Sequence, residues 1–329
     1  MLLDSLVDCA VVPSPWNDAK YRIEATLDLA KRGISGLGEQ FLEGADIYAE
    51  RYGSANGMLT QIGRALDMAK LDTNTDLTVL DIGCGSGNAT FALAELLPRS
   101  RILASDLSPH LLEFVARRSK QLGLTDRISI LVADASNIPL KDGAFDLICG
   151  SSMLHHLLRP EVITARYLAA LKPSGRAMFF EPFHSGAFVL RQVMVALIKM
   201  SRHSSAPLDP VISKTLAELV FGIDFVTDEN RDPLSKVGLD DKWLFTRAMF
   251  NRIGEKTGRA VTIYPTSPSN ETFQEKIEAL LTSLGMTPTW PGWAKELMHE
   301  MNSGRSSYLR DDLLTEGGII FGQARANSN

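Results

Sequence analysis

A glycine-rich turn placed directly after a strand constrains this 329-residue chain more than any other feature. The segment LTVLDIG (77–83) has the apolar, β-branched composition of a buried strand, and glycines follow at positions 83, 85 and 87. Because glycine has no Cβ, such a turn can be tight and a ligand can approach its backbone closely. The ligand is expected at the carboxyl end of the strand, beside the N-terminus of the next helix.

Short apolar runs that alternate with amphipathic segments predict a parallel α/β sheet. Five strands are expected, at 77–83, 101–107, 127–134, 145–152 and 176–183. Between the second and third of them, Ser108 as N-cap and Pro109 at the first position indicate the start of a helix. Segment 284–290 predicts a sixth strand and segment 317–326 a last one.

The chain is predicted to divide into four parts. They are a helical N-terminal segment (1–76), an α/β core (77–183), a helical insertion that caps the substrate (184–268), and a C-terminal helix and strands that complete the core (269–329). Inside the insertion, DDKWLFTRAMF (240–250) predicts an amphipathic helix capped by Asp240 and Asp241. The alternative for this segment is a lid that shapes the substrate pocket.

Carboxylates follow the next two strands at positions that suit a nucleoside. Asp106 lies roughly 20 residues after the turn, where a carboxylate can accept hydrogen bonds from both ribose hydroxyls. Asp134 and the backbone amide of Ala135 suit the amino group and a ring nitrogen of adenine. Asn88 occupies the third glycine position of the dinucleotide fingerprint GxGxxG, which favours a cofactor without a pyrophosphate over a nicotinamide dinucleotide.

Five segments resemble, in order, the successive motifs of class I S-adenosylmethionine-dependent methyltransferases: LDIGCGSGN, ASDLS, VADASNIPL, FDLICGSSMLHHL and LKPSGRAMFFEP. The resemblance covers about residues 45–183 and implies a Rossmann-like, seven-stranded sheet, mostly parallel with an antiparallel last strand and flanking helices. The implied cofactor is S-adenosyl-L-methionine. Its methionine part is implied to lie at Asp81 and the glycine turn, its ribose at Asp106, and its adenine at Asp134 and Ala135.

The same resemblance extends the implied cofactor site. Ser151 and Ser152 match the family position that lines the sulfonium and methyl group, and Tyr48 and Tyr52 resemble aromatic residues that close over the methionine moiety. The other expected cofactor-binding residues are Gly83, Cys84, Gly85, Gly87, Asn88 and Leu107.

Candidate catalytic residues follow the fourth and fifth strands. Methyl transfer from a sulfonium is an in-line displacement, so positioning and exclusion of water can supply much of the acceleration. His156, Glu181 and His184 are the candidates for a base when the acceptor must lose a proton. Structural roles remain alternatives, because a histidine after a strand can cap or pack. Glu181 could cap the next helix or pair with an arginine, and the adjacent His155 and His156 are not expected to face one point.

Composition narrows the possible partners. A formal net charge of -5 without a basic run argues against nucleic acid. The three cysteines form no CxxC pair and no Cys/His cluster at metal-ligand spacing, so neither a disulfide nor a bound metal is expected. Asp4 and Asp8 stand where a secretory signal carries positive charge, and the apolar stretch 187–200 is interrupted and short for a bilayer. A cytoplasmic protein without integral membrane association is expected.

The predicted function is methyl transfer to a small, hydrophobic metabolite at oxygen, nitrogen or carbon. The alternatives are a protein that binds S-adenosylmethionine without transferring its methyl group, and a nucleotide-dependent oxidoreductase on the same sheet.

Overall fold

The computed structural model describes residues 2–35, 55–228, 230–232, 241–266, 271–303 and 312–324. The strands are β1 (Val11–Pro13), β2 (Glu24–Thr26), β3 (Thr78–Ile82), β4 (Arg101–Asp106), β5 (Ile128–Val132), β6 (Phe145–Ser151), β7 (Leu171–Pro182), β8 (Arg259–Pro265) and β9 (Glu316–Ala324). The α-helices are α1 (Leu2–Leu6), α2 (Leu27–Arg32), α3 (Ala55–Ala69), α4 (Asn88–Leu96), α5 (Pro109–Gln121), α6 (Pro160–Ala169), α7 (His184–Ser201), α8 (Pro210–Thr227), α9 (Arg247–Thr257), α10 (Phe273–Ser283) and α11 (Gly292–Ser303).

The strands form one sheet in the order β1-β2-β5-β4-β3-β6-β7-β9-β8. Neighbours from β5 through β7 pair in parallel, and β9 runs antiparallel to both β7 and β8. The predicted Rossmann-like sheet, mostly parallel with an antiparallel last strand, is therefore confirmed. Its central strands carry almost continuous buried apolar runs, as strands covered by helices on both faces must.

The structure corrects two secondary-structure expectations. The N-terminal part includes two strands, β1 and β2, which extend the sheet beyond β5 and raise the strand count among the described residues to nine. The sixth strand is β8, within the range expected to form a helical cap, and not segment 284–290. After α10 the chain turns at Gly285, whose φ is +79°, and Pro288 follows at a position without regular structure.

Buried apolar side chains form three clusters. Two of them cover the opposite faces of the sheet. The third lies within a four-helix subdomain formed by α7, α8, α10 and α11, with Met194, Leu216, Ile277 and Met298 at its centre. The apolar stretch at 187–200 lies within α7. Because α10 and α11 also belong to this subdomain, its helices come from both sides of β8. The four-part division of the chain stays a prediction.

The register of the parallel strands brings the ligand-binding candidates to one edge. Ile82 is paired with both Ser105 and Gly150, and Asp106 is paired with Val132, so the residues that follow β3, β4, β5 and β6 emerge side by side. Helix α7 begins directly after β7 at this same edge. No helix within the described ranges is both long enough and apolar enough to cross a membrane.

Candidate active site

The glycine turn after β3 has the backbone that the sequence predicts. Gly83, Gly85 and Gly87 all have positive φ angles, of 66°, 53° and 94°. A Cβ on Gly83 would lie 2.8 Å from the Cβ of Met153, so this glycine lets the turn pack against the loop after β6. A Cβ on Gly85 would meet no atom within 4 Å of it. Gly85 therefore combines a left-handed backbone with open space, as a ligand-facing position in such a turn should.

Asp81, near the end of β3, is buried with one oxygen satisfied and one unsatisfied. The hydroxyl of Thr90 on α4 donates to its Oδ2 over 2.5 Å. Its Oδ1 has no hydrogen-bond partner among the described residues. Burial raises the pKa of Asp81 to about 7, although the Thr90 hydrogen bond opposes that shift. A buried carboxylate oxygen without a partner suits a cationic donor such as the ammonium group of an amino acid.

Asp106, at the end of β4, joins the glycine turn to the next helix. The amide of Gly85 donates to its Oδ2 over 2.9 Å, and the amide of Ser108 donates to its Oδ1 over 2.8 Å. Burial raises the pKa of this carboxyl group, and the two amides act in the opposite direction. Each oxygen retains capacity for a second donor, so the carboxylate is held in place while it can still accept ribose hydroxyls.

Asp134 and Ala135 follow β5 and make contacts that the sequence did not indicate. Arg32 of α2 places its Nη2 3.1 Å from Oδ2 of Asp134, and the amide of Ser136 donates to Oδ1 over 2.9 Å. The carbonyl of Ala135 accepts a hydrogen bond from the Tyr167 hydroxyl over 2.6 Å. The short N-terminal elements are thus attached to the adenine side of the predicted cofactor site.

The remaining residues that were predicted to bind the cofactor differ in position and burial. Ser151 ends β6, and Ser152 follows with a φ of 52°, an unusual backbone for a residue with a side chain. Cys84 is buried, Leu107 is partly buried and Asn88 begins α4. Tyr48 and Tyr52 lie outside the described residues.

Two of the three catalytic candidates lie around a buried histidine, His155. The loop after β6 forms a 3-10 turn, Leu154–His156, over Glu181 of β7. Oε1 of Glu181 accepts from the amides of Met153 and Leu154 over 3.0 and 2.7 Å. Its Oε2 lies 2.7 Å from Nδ1 of His155. Glu181 thus holds the loop and His155, and neither caps α7 nor pairs with an arginine.

Asp241 lies close to both of the adjacent histidines, His155 and His156. Its Oδ1 lies 3.3 Å from Nε2 of His155 and 3.7 Å from Nδ1 of His156. The expectation that these histidines cannot face one point is therefore wrong. The tight turn holds their ring centroids 4.0 Å apart, and both rings face the Asp241 carboxylate. Burial alone would lower the pKa of His155, but Glu181 and Asp241 outweigh it and raise that pKa to about 9.

Residues 241–245 are not the start of a helix. Helix α9 begins at Arg247, and its cap is Thr246, whose hydroxyl accepts from the amide of Met249 over 3.3 Å. The preceding residues cross the ends of β6 and β7. The amide of Lys242 donates to the carbonyl of His155 over 2.9 Å, and the indole of Trp243 donates to the carbonyl of Leu157 over 2.7 Å. This placement beside the catalytic candidates favours the lid alternative for these residues.

His184, the third catalytic candidate, begins α7. Its amide donates to the carbonyl of Phe245 over 2.8 Å, and its ring stacks on Phe188 with centroids 6.1 Å apart. Within the described ranges no hydrogen bond or ion pair joins it to His156 or Glu181. The structure therefore brings His156 and Glu181 together through His155 and places His184 at the start of α7, the first helix of the four-helix subdomain.

Comparison with known proteins agrees with this geometry. Residues 79–175, from β3 into β7, match the family model of a methyltransferase domain. Residues 79–175 are identified as a methyltransferase domain, and the chain is similar to class I S-adenosylmethionine-dependent methyltransferases. The match contains the glycine turn, Asp81, Asp106 and Asp134, together with the whole loop after β6.

Curated relatives are similar to part of this chain. A demethylmenaquinone methyltransferase of Lactococcus lactis is 27% identical over 137 residues, which cover 41% of this chain and 54% of the relative. A methyltransferase of Streptomyces halstedii is 31% identical over 107 residues, which cover 32% of this chain and 38% of the relative. The matched segments span about a third to a half of the length of the curated relatives.

A solved structure has a similar fold over most of this chain. A Galdieria sulphuraria protein with the provisional name sarcosine dimethylglycine methyltransferase superposes with a TM-score of 0.52 at 15% identity, covering 86% of this chain and 98% of that one. The methyl donor of the family is S-adenosylmethionine. The residues of this methyltransferase fit that cofactor, because Asp81 has a free buried oxygen and Gly85 leaves open space beside the turn.

Proposed function

We propose that this methyltransferase transfers the methyl group of S-adenosylmethionine to a small, apolar acceptor at oxygen, nitrogen or carbon. One observation carries the proposal. Three carboxylates, those of Asp81, Asp106 and Asp134, lie at or just beyond the carboxyl ends of three neighbouring parallel strands, around a left-handed glycine turn. Bound there, S-adenosylmethionine supplies an electrophilic methyl group on a sulfonium.

Each part of the cofactor is proposed to contact a different residue of the site. The free oxygen of Asp81 accepts the ammonium of the methionine part, while Gly85 lets that part lie against the backbone. Asp106 is already oriented by two amides and accepts the ribose hydroxyls. Asp134 accepts the adenine amino group beside Arg32. Each contact uses an oxygen that the protein holds in place before the cofactor binds, which lowers the cost of ordering the site.

An apolar acceptor fits the four-helix subdomain. Helix α7 leaves the carboxyl edge of the sheet with His184 stacked on Phe188, which is 49% exposed. On the neighbouring helix α8, Phe221 is 70% exposed and lies 6.3 Å from Phe225 between ring centroids. Exposed aromatic side chains grouped beside a ligand-binding edge are typical of surfaces that bind apolar molecules.

Catalysis is proposed to depend first on the position of the acceptor relative to the methyl group. The loop after β6 and the residues 241–245 would exclude water and hold the acceptor in line with the methyl group. His156 is the proposed base for acceptors that must lose a proton, and His184 lies where it can contact the acceptor at the mouth of the subdomain. Glu181 acts as a positioning residue, because both of its oxygens are used within the protein.

Calorimetry tests the cofactor assignment. We expect saturable binding of S-adenosylmethionine and S-adenosylhomocysteine, and no comparable binding of NAD. Asp106→Ala should weaken cofactor binding by about 1.5 to 3 kcal/mol, which is about 10-fold to 150-fold, because charge-assisted hydrogen bonds are lost. The matched control is Asp76→Ala, an exposed aspartate paired with Arg99 away from the cofactor site. Unchanged affinity in Asp106→Ala would overturn the ribose assignment.

A second experiment tests transfer itself. Wild-type protein, methyl-labelled S-adenosylmethionine and a panel of apolar phenols, amines and activated carbon acids should give labelled product with at least one acceptor class. Binding of the cofactor without transfer to any member of the panel would favour the non-catalytic alternative. Tight NAD binding without S-adenosylmethionine binding would instead favour the oxidoreductase.

A further inference from the structure

Three side chains with metal-ligating atoms converge at the carboxyl edge of β6 and β7. They are His155, His156 and Asp241, and one ligand atom from each lies within 4.8 Å of the other two. The two histidine nitrogens lie 3.3 and 3.7 Å from the same oxygen of Asp241. Ligands around a tetrahedral zinc ion, with bonds of about 2.0 to 2.1 Å, lie about 3.3 Å apart. The two distances to Asp241 are therefore close to the spacing that one bound ion requires, and the two histidine nitrogens lie within 4.8 Å of each other.

A second observation concerns the far side of the His155 ring. Its Nδ1 lies 2.7 Å from Oε2 of Glu181, and the other oxygen of Glu181 accepts two backbone amides. When an ion displaces the proton on Nε2, Nδ1 keeps its proton and donates it to Glu181, and the lone pair of Nε2 faces the ion beside Asp241. Histidines that bind metals typically donate their other ring nitrogen to a carboxylate in this way, which fixes the ring and raises its basicity.

We infer that His155, His156 and Asp241 form a binding site for a divalent first-row transition-metal ion, with Glu181 as the residue that orients His155. The inference does not rest on the proposed methyl transfer, since none of these contacts involves the cofactor. An ion on Nδ1 of His156 would take the lone pair that a base needs, so the base and ligand roles of His156 are alternatives. Two carboxylates around the histidines supply negative charge in a partly buried place, which favours a cation. Sequence spacing did not reveal the site, because Asp241 lies far from the histidines along the chain.

The ligand set defines the class of ion. Two imidazoles and one carboxylate suit zinc, iron, cobalt or nickel, whereas magnesium prefers oxygen ligands alone. Three protein ligands leave a coordination position for solvent or for an oxygen of a bound molecule. The Asp241 side chain is 70% exposed, so an ion bound beside this carboxylate would be accessible from solvent.

The test is a titration of the full-length, chelator-treated protein with zinc, followed by calorimetry and, with cobalt, by visible absorption. We expect about one zinc per chain, no comparable binding of magnesium, and cobalt bands typical of low coordination number. His156→Asn and Asp241→Asn should each weaken zinc binding at least tenfold. The matched controls are His203→Asn and Asp76→Asn, which alter an exposed histidine and an exposed aspartate away from the site.

The variant Glu181→Gln tests whether Glu181 orients His155, since this residue is not itself a metal ligand. If Glu181 orients His155, this variant should weaken zinc binding about 10-fold to 100-fold while leaving all three ligands in place. Asp241→Asn keeps the test available if Glu181→Gln does not fold, because Asp241 is exposed. Absence of zinc binding in the wild type would overturn the inference, as would binding that survives both ligand substitutions or a loss shared by the controls.

Discussion

Arg32 and Asp134 form an ion pair that links helix α2 to the loop after β5, with 3.1 Å between Nη2 and Oδ2. The pair attaches the N-terminal β1-β2-α2 unit to the adenine side of the proposed cofactor site. Its members are 42% and 29% exposed, so water screens their attraction substantially. Exposed pairs of this kind contribute about 0 to 1 kcal/mol to stability. The contact is therefore more relevant to the orientation of Asp134 than to folding.

Arg32→Ala should lower the free energy of unfolding by less than about 1 kcal/mol, the same range as the control Arg99→Ala, which removes a comparable exposed pair with Asp76. Asp134→Ala should weaken cofactor binding about fivefold to tenfold, because it removes the acceptor for the adenine amino group. Urea denaturation and calorimetry measure the two quantities. If Arg32→Ala weakened cofactor binding and Asp134→Ala did not, the adenine contact would belong to Arg32.

Gly85→Ala should retain the fold and lose the cofactor. Alanine at a φ of 53° costs about 1 kcal/mol of strain, and the added methyl group meets no protein atom within 4 Å. Gly123→Ala is the matched control, since Gly123 has a φ of 67°, open surroundings and a position after α5 away from the site. Thermal melting should show similar losses for both variants. Only Gly85→Ala should weaken binding of S-adenosylhomocysteine, and equal affinities would contradict a ligand against this turn.

The sequence predicts the core of this fold well, because local signals and tertiary structure agree there. The left-handed turn at residues 83–87 needs glycine, and the buried parallel strands need continuous apolar runs. The edge of the sheet was harder to predict. β2 has three residues and pairs with β1 on one side and with β5 on the other, contacts that no local pattern encodes. β8 alternates in burial and begins with a buried arginine, Arg259, so its strand signal is weak.

In the candidate site, too, some features could be predicted from the sequence and others could not. Asp81 and Asp106 lie at the ends of their strands and Asp134 lies just beyond β5, so their common edge could be predicted from the alternation of strands and helices along the chain. The partners of those carboxylates come from elsewhere, as Arg32 does. Asp241 was assigned to a helix cap because acidic residues before an amphipathic run usually have that role. The helix starts later, at Arg247, and Asp241 instead faces two histidines that only the folded chain brings near it.

Cofactor affinity should depend on pH through Asp81. Burial raises the pKa of this carboxyl group to about 7 in the folded protein, so it is mostly protonated below that pH. An ammonium group at the free oxygen favours the ionised form, so affinity should rise with pH and level off above about 7. Asp81→Asn cannot ionise and should lack this rise. Titrations of both proteins over the same pH series cancel the ionisation of the cofactor's own amino group, and parallel profiles would contradict the assignment.

Glu181→Gln should lower the free energy of unfolding by about 1 to 3 kcal/mol, because a buried carboxylate that accepts from two amides and faces His155 is replaced by a neutral amide. The control is Glu218→Gln on α8, an exposed residue 3.6 Å from Lys214, where the change should stay within about 0.5 kcal/mol. Urea denaturation with a chelator present measures both, so that bound metal does not contribute. A loss in Glu181→Gln no larger than in the control would mean that the loop after β6 is held mainly by its other contacts, such as the packing of Met153 against Gly83.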